Sequence, residues 1–126
     1  MSQFGIACLV GVGGAIGALA RYGASRVVAT KKKPGFYATL TVNLIGSFLM
    51  GLLIGWHVES DHAAVYAFVG TGVLGGLTTY STLNVQKASM LRSGVRRMLF
   101  RYIAATYVLG FGLTALGVAI GDMMRT

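Results

Sequence analysis

Four long stretches without a charged side chain constrain the fold of this chain more than any other feature of its sequence. A helix needs about 20 mostly apolar residues to cross the hydrocarbon core of a bilayer. The uncharged windows cover residues 4–20, 36–56, 63–86 and 102–121. The chain of 126 residues is therefore predicted to be one all-α membrane domain of four transmembrane helices, at about residues 4–29, 36–57, 63–91 and 97–122.

The composition agrees with lipid as the solvent. The chain is 55% hydrophobic and 11% charged, whereas soluble domains carry about 25% charged residues. Its 19 glycines suit membrane helices, in which small residues let backbones approach closely. No set of nucleophile, base and orienting group is recognisable, so an enzyme is not expected. His57 and His62, near Glu59 and Asp61 in the second connector, are interpreted as solvated loop residues rather than metal ligands.

The cations are concentrated at one end of the predicted bundle. The first and third connectors and their flanks carry ten of the eleven: Arg21, Arg26, Lys31, Lys32, Lys33, Lys87, Arg92, Arg96, Arg97 and Arg101. All three acids and Arg125 belong to the opposite end. The positive-inside rule predicts that the basic connectors are cytoplasmic and that both termini are outside. This distribution favours membrane anchoring over nucleic-acid binding as the role of the net charge of +8.

The third window contains the most polar decamer of the chain, GGLTTYSTLN at residues 75–84. Paired glycines and hydroxyl side chains disfavour a continuous helix, so a break is predicted near residues 75–82. Non-helical backbone at membrane depth must be buried in protein or line a wet cavity. The break is interpreted either as an ion site built from half-helix ends or as a kink that serves packing alone.

Three stretches together resemble the Fluc (CrcB) family of fluoride channels. They are GGAIGALARY at 13–22, TLTVNLIGSFLMG at 39–51 and GVLGGLTTYSTLN at 72–84. They follow the family's order, and the similarity covers nearly the whole chain. The resemblance implies an antiparallel, dual-topology dimer in a bacterial inner membrane, with two fluoride pores and a central structural sodium ion.

The resemblance also implies roles for individual residues. The sodium ion is expected on the backbone carbonyls of Gly75 and Thr78. An anion pore needs donors that replace water without holding the ion too tightly, and amide and hydroxyl groups supply them. The side chains that the resemblance assigns to the fluoride path are Arg21, Asn43, Tyr80, Ser81, Thr82 and Leu83.

Two of these residues depart from the family pattern, which has phenylalanine at both positions. Tyr80 keeps an aromatic ring with a positive edge, whereas Leu83 has none.

The excess of cations at one end of the bundle also departs from the family pattern, because dual-topology proteins usually have little such bias. A functional homodimer is the leading interpretation, and a heterodimer with an oppositely oriented paralogue is the alternative.

Thr106, Gly110 and Thr114 share one face of the fourth predicted helix, at spacings of four residues. This pattern indicates either a polar track beside the pore or interhelical hydrogen bonds.

The leading function, implied by the resemblance, is a passive channel that exports cytoplasmic fluoride. A small multidrug-type antiporter matches in size but would need a carboxylate within the membrane, and residues 62–121 contain none.

Overall fold

The computed structural model describes residues 2–125, which form helices joined by short connectors. The two N-terminal helices are α1, Gln3–Thr30, and α2, Phe36–Gly55. A single helical turn at Val58–Asp61 precedes α3, residues 63–77, and α4, Ser81–Arg92. The last helix is α5, Arg96–Arg125. Residues Tyr66–Leu74 of α3 and Ala105–Leu109 of α5 have π-helical hydrogen bonding.

The four long apolar helices predicted from the sequence are present. They are α1, α2, the combined span Ala63–Arg92 and α5, each long and apolar enough to cross a membrane. The third span is bent where α3 ends and α4 begins, as the decamer indicates. The non-helical segment is residues 78–80, shorter than the predicted 75–82. Gly75 and Gly76 stay helical, and Gly76 packs directly on the backbone of Gly14 in α1.

Each of the two basic connectors contains, as its second residue, a residue in the left-handed conformation, which ends the preceding helix sharply. At Gly94, φ is 76°, the Gly94 N–H donates to the Leu91 carbonyl and the Val95 N–H donates to the Met90 carbonyl. This is the Schellman arrangement, which satisfies the last carbonyls of a helix. Lys32, with φ of 55°, ends α1 in the same way. The end of the bundle formed by residues 31–35 and 93–95 is called the basic end below.

Glycines allow the helices to pack backbone against backbone in two pairs, α1 with α3 and α2 with α5. A Cβ atom on Gly17 would overlap the Val73 carbonyl across the first pair. In the second pair, a Cβ atom on Gly51 would overlap the Thr114 carbonyl. Since lipid gives little hydrophobic driving force between helices, such close packing is a main source of their association.

Substitution of Gly117 by alanine tests this close helix packing. An alanine Cβ there would overlap the Phe48 carbonyl and lie 2.9 Å from the Leu52 nitrogen, so Gly117→Ala is expected to lower the free energy of unfolding by about 1–3 kcal/mol. Gly112 belongs to the same helix, and a Cβ there meets nothing within 4 Å. Gly112→Ala is the matched control, with an expected change within about 0.5 kcal/mol. Equal destabilisation of both variants in a denaturing-detergent titration would contradict the packing argument.

Candidate ion site at the break in the third span

The break is held open by the side chain of Asn43, which α2 presents to it. The Asn43 Nδ2 donates to the Thr79 carbonyl at 3.0 Å, and the Thr79 N–H donates to Asn43 Oδ1 at 2.9 Å. In an uninterrupted helix the Thr79 N–H would donate to the Gly75 carbonyl, four residues earlier. The carboxamide therefore replaces the helical partner of Thr79 and satisfies backbone groups that the membrane could not.

Thr79 also binds the first turn of α4, which begins at Ser81. Its Oγ1 accepts a hydrogen bond from the Thr82 N–H at 3.3 Å, as an N-cap hydroxyl does three residues before its partner. The same Oγ1 donates to the Thr82 hydroxyl at 3.2 Å and lies 3.5 Å from the Ser81 hydroxyl. Ser81 and Thr82, assigned to the fluoride path by resemblance, thus form a small hydroxyl cluster at the start of α4.

Because of these contacts, two carbonyls at the break do not receive the N–H group that would bind them in a continuous helix. The Thr79 N–H goes to Asn43 and the Thr82 N–H to Thr79 Oγ1, so neither is given to the carbonyl four residues earlier. Those carbonyls belong to Gly75 and Thr78, the two that the resemblance assigns to sodium. Carbonyl oxygens that lack this helical donor are hard ligands of the kind that suit an alkali cation, so the two carbonyls are compatible with the sodium ion that the resemblance implies.

Arg21 contacts the same break from α1. Its Nε donates to the Gly76 carbonyl at 3.1 Å, and its side chain is half-buried. No acidic side chain within residues 2–125 is paired with it. Four of the five guanidinium N–H donors remain for water or an anion, while the fifth fixes the side chain against the third span.

A cleft of about 380 Å³ opens beside the break, between α2, the third span and α5. It brings together six of the residues predicted from the sequence: Asn43, Gly75, Thr78, Tyr80, Leu83 and Thr114. Arg21, Ser81, Thr82 and Thr106 lie outside its lining.

The threonines of α5 have different environments. Thr114 lines the cleft, and its Oγ1 donates to the Ser47 carbonyl of α2 at 3.2 Å, so it makes the interhelical hydrogen bond that was one of its two interpretations. The Thr106 hydroxyl is buried without a hydrogen-bond partner in the part of the chain that the structure describes. Thr106 lies in the π-helical segment Ala105–Leu109, where an extra residue per turn changes the direction of side chains.

The two positions that depart from the family pattern differ in exposure. Leu83 is 3% exposed and packs with Met90 and Tyr102. Tyr80 is 67% exposed at the cleft, and Lys87 Nζ lies 6.0 Å from the centre of its ring. Lys87 also donates to the Tyr107 hydroxyl at 3.3 Å. Leu83 therefore lines the cleft as part of the buried core, whereas the ring of Tyr80 is exposed on the protein surface.

Sequence reasoning missed three residues of this site. Thr79 is not among the predicted site residues, although it makes the two hydrogen bonds that shape the break, one with Asn43 and one with the Thr82 N–H. Ser47, four residues after Asn43, shares its helix face and lines the cleft, a spacing that could have revealed it. Lys87 follows Tyr80 by seven residues, about two helical turns, which is the signal for its position beside the ring.

Four apolar spans, one of them interrupted beside a cleft with amide and hydroxyl groups, define a small multi-pass membrane protein of the type that includes ion channels and transporters. Comparison with known proteins gives the family. Residues 8–118 match the family described as CrcB-like protein, Camphor Resistance (CrcB). The chain belongs to the CrcB family, which confirms the resemblance found in its sequence.

Curated relatives extend over most of the chain. The "Fluoride-specific ion channel FluC 1" of Listeria monocytogenes serotype 4b (strain F2365) is 43% identical over 90% of this chain and 94% of the relative. The "Fluoride-specific ion channel FluC 2" of Lactobacillus delbrueckii subsp. bulgaricus is 38% identical over 91% and 97%. The "Fluoride-specific ion channel FluC" of Aquifex aeolicus is 38% identical over 95% and 99%. These relatives are channels, which confirms that the chain is not an enzyme.

Proposed function

We propose that this protein is a fluoride-selective passive channel of a bacterial cell membrane that exports cytoplasmic fluoride and so lowers its toxicity. The observation that carries the proposal is the Asn43 carboxamide fixed against the break, beside a cleft whose other polar groups are neutral. Fluoride enters cells as its neutral acid, dissociates at neutral pH and is trapped as an anion. A passive channel suffices for export because the membrane potential drives the anion out.

The reciprocal hydrogen bonds orient the donor. Because Oδ1 accepts from the Thr79 N–H, Nδ2 is the atom that donates to the Thr79 carbonyl, and the alternative flip of the amide would oppose like groups. One of the two Nδ2 hydrogens is used in this way, and the other is available to an anion. A neutral donor favours the ion without the tight binding of a full charge, as permeation requires.

Tyr80 and the hydroxyls of Ser81 and Thr82 complete the proposed path. The positive ring edge of Tyr80 offers an anion a weak contact. Leu83 offers none, and its burial against Met90 and Tyr102 supports a role as a wall of the path rather than as an ion contact. Thr106, whose buried hydroxyl has no hydrogen-bond partner among the described residues, is proposed to continue the path along α5. The Thr114 hydroxyl already donates to the Ser47 carbonyl, so Thr114 is proposed to line the path without donating to the anion.

Lys87 is proposed to attract the anion toward Tyr80. At about 6 Å in water, one unit charge changes the energy of another by about 0.7 kcal/mol, or about three-fold in occupancy. Lys87→Gln is therefore expected to lower fluoride flux about three-fold at low salt and less at high salt. Arg92→Gln removes an exposed cation from the same helix and serves as the control. Equal effects of the two substitutions would contradict a local role for Lys87.

We further propose an antiparallel, dual-topology homodimer with two pores and one central sodium ion, held by the carbonyls of Gly75 and Thr78. The ion, when bound, supplies a positive charge that satisfies carbonyls without helical donors. Removal of sodium, with N-methylglucamine as the replacement, is expected to lower both fluoride flux and the dimer fraction measured by cross-linking. No change in either quantity would contradict the sodium proposal while leaving the channel proposal intact.

The alternative assembly is a heterodimer with an oppositely oriented paralogue, which the ten-to-one cation bias favours. Expression of the chain alone distinguishes the two. Stable dimers that conduct fluoride would exclude an obligate heterodimer, and monomers that become active only with a second subunit would exclude the homodimer.

The test of function is fluoride efflux from proteoliposomes that contain the purified chain, measured with a fluoride electrode. Rapid fluoride efflux without chloride efflux is expected. An antiporter would instead couple transport to a proton gradient, but the cleft lining contains no carboxylate. A folded dimer without fluoride flux would overturn the channel proposal for the homodimer.

A further inference from the structure

A second cavity, separate from the cleft at the break, lies at the basic end. It is a groove of about 500 Å³ between the beginnings of α2 and α5, and it shares no lining residue with the cleft. Phe36, Tyr37 and Leu40 line it from α2, and residues 94–98, Arg101, Tyr102 and Ala105 line it from the other side. In the proposed antiparallel dimer, this groove lies at the cytoplasmic surface of the membrane in one subunit and at the outer surface in the other.

The local sequence gives the groove an arginine rim and an aromatic floor. The Schellman turn at Gly94 ends α4 and lets α5 begin at Arg96. Arg97 and Arg101 are four residues apart and so share a helix face. At the floor, the rings of Phe36 and Tyr102 lie 5.2 Å apart between centres. The Tyr102 hydroxyl donates to Gln86 Oε1 at 2.7 Å, so this polar tip already has its partner.

The arginines of the rim have no compensating charge. Arg96, Arg97 and Arg101 are exposed, and none has a carboxylate partner within residues 2–125. Asp61 forms its ion pair with Arg125, at 3.9 Å, at the opposite end of the bundle. Three unpaired guanidinium groups around one groove therefore favour an anionic ligand.

We infer that this groove binds the headgroup phosphate of an anionic phospholipid. Guanidinium groups match phosphate oxygens with paired hydrogen bonds, which ammonium groups cannot do. Basic pockets between membrane helices on the cytoplasmic side are suited to acidic lipid headgroups. A free phosphate ion would use the rim alone, whereas a phospholipid also places an acyl chain along Phe36, Leu40 and Ala105. The apolar floor is the reason to choose the lipid over the free ion.

The experiment compares two triple substitutions that remove the same charge from the same end. Arg96→Gln/Arg97→Gln/Arg101→Gln empties the rim, whereas Arg26→Gln/Lys31→Gln/Arg92→Gln removes three exposed cations outside the groove. The full-length protein is exchanged into nanodiscs of phosphatidylcholine with added phosphatidylglycerol. Native mass spectrometry then counts the retained lipids, without fluoride present.

The wild-type protein and the control are expected to retain phosphatidylglycerol selectively. The general attraction of basic residues to an anionic surface is removed equally in both triple variants. Only the rim arginines can bond the headgroup directly, and a hydrogen bond to a charged group contributes at least about ten-fold, so the rim variant should lose at least about ten-fold more than the control. Equal losses in both triple variants, or no preference of the wild type for phosphatidylglycerol, would overturn the proposal. Displacement of the lipid by millimolar inorganic phosphate would also overturn it, in favour of a free-phosphate site.

Folding of the variants is checked by size-exclusion chromatography. If the triple rim variant does not fold, lipid retention is measured for the single variants Arg97→Gln and Arg101→Gln. Each is expected to lower phosphatidylglycerol retention by about five-fold. Single variants that retain the lipid as the wild type does would overturn the site. Because lipid retention and fluoride efflux are measured independently, a failure of either proposal leaves the other testable.

Discussion

Replacing Asn43 with leucine is expected to lower fluoride flux at least about ten-fold and to destabilise the break. Leucine keeps the branching at Cγ, although it is larger, and it removes the donor to the Thr79 carbonyl and the acceptor of the Thr79 N–H. Each unsatisfied backbone group costs about 1–3 kcal/mol, and the proposed path loses its fixed amide donor as well. The measurement is efflux from proteoliposomes together with unfolding in a denaturing-detergent titration.

Thr41→Val is the matched control for Asn43→Leu. Thr41 lies on the same helix but is exposed, and its hydroxyl donates to the Tyr37 carbonyl within α2. Its loss is expected to leave flux and stability close to those of the wild type. A leucine at position 43 that leaves flux unchanged would contradict the role proposed for the carboxamide.

Asn43→Asp separates the two roles of the carboxamide. An aspartate oxygen can still accept from the Thr79 N–H, but an ionised carboxylate has no donor for the Thr79 carbonyl or for fluoride. Its charge would also repel an anion in the cleft. We therefore expect flux to be lost in the aspartate variant even where the protein stays folded. Flux similar to that of the wild type would contradict anion passage beside residue 43.

The four spans and the presence of a break follow from local properties of the sequence. Uncharged windows of membrane length predict helices because an unpaired charge or backbone group is costly in hydrocarbon. The paired glycines and hydroxyl residues at 75–82 predict the break. Its shorter extent depends on tertiary contacts, since Gly76 packs on Gly14 and the Thr79 N–H is bound by Asn43.

The partners at the candidate site could not be predicted in the same way. Asn43 and Thr79 are 36 residues apart, and Arg21 and Gly76 are 55 apart. Periodicity identifies which residues share a face of one helix, but it does not specify which residue of another helix lies opposite. The resemblance supplied Asn43 and Arg21 as candidates, whereas the structure adds that both bind the backbone of the broken span. The same limit explains why the burial of Leu83 against Tyr102 was not foreseen.

The exposed ring of Tyr80 gives the second large expected effect. A pair of aromatic rings is worth about 0.5–1.5 kcal/mol. With a contact of that size between the ring edge and the anion, Tyr80→Leu is expected to lower fluoride flux by about two- to ten-fold. Phe111→Leu removes another exposed ring, at a position outside the cleft, and should leave flux unchanged.

Tyr80→Phe then identifies which part of the tyrosine acts on the anion. Phenylalanine keeps the positive ring edge and removes only the hydroxyl, so efflux is expected to stay within about two-fold of that of the wild type. A loss as large as that of Tyr80→Leu would show that the hydroxyl, rather than the ring edge, contacts fluoride. Wild-type efflux in both variants would exclude residue 80 from the path. Because Leu83 supplies no ring, this comparison measures the aromatic contribution from a single position.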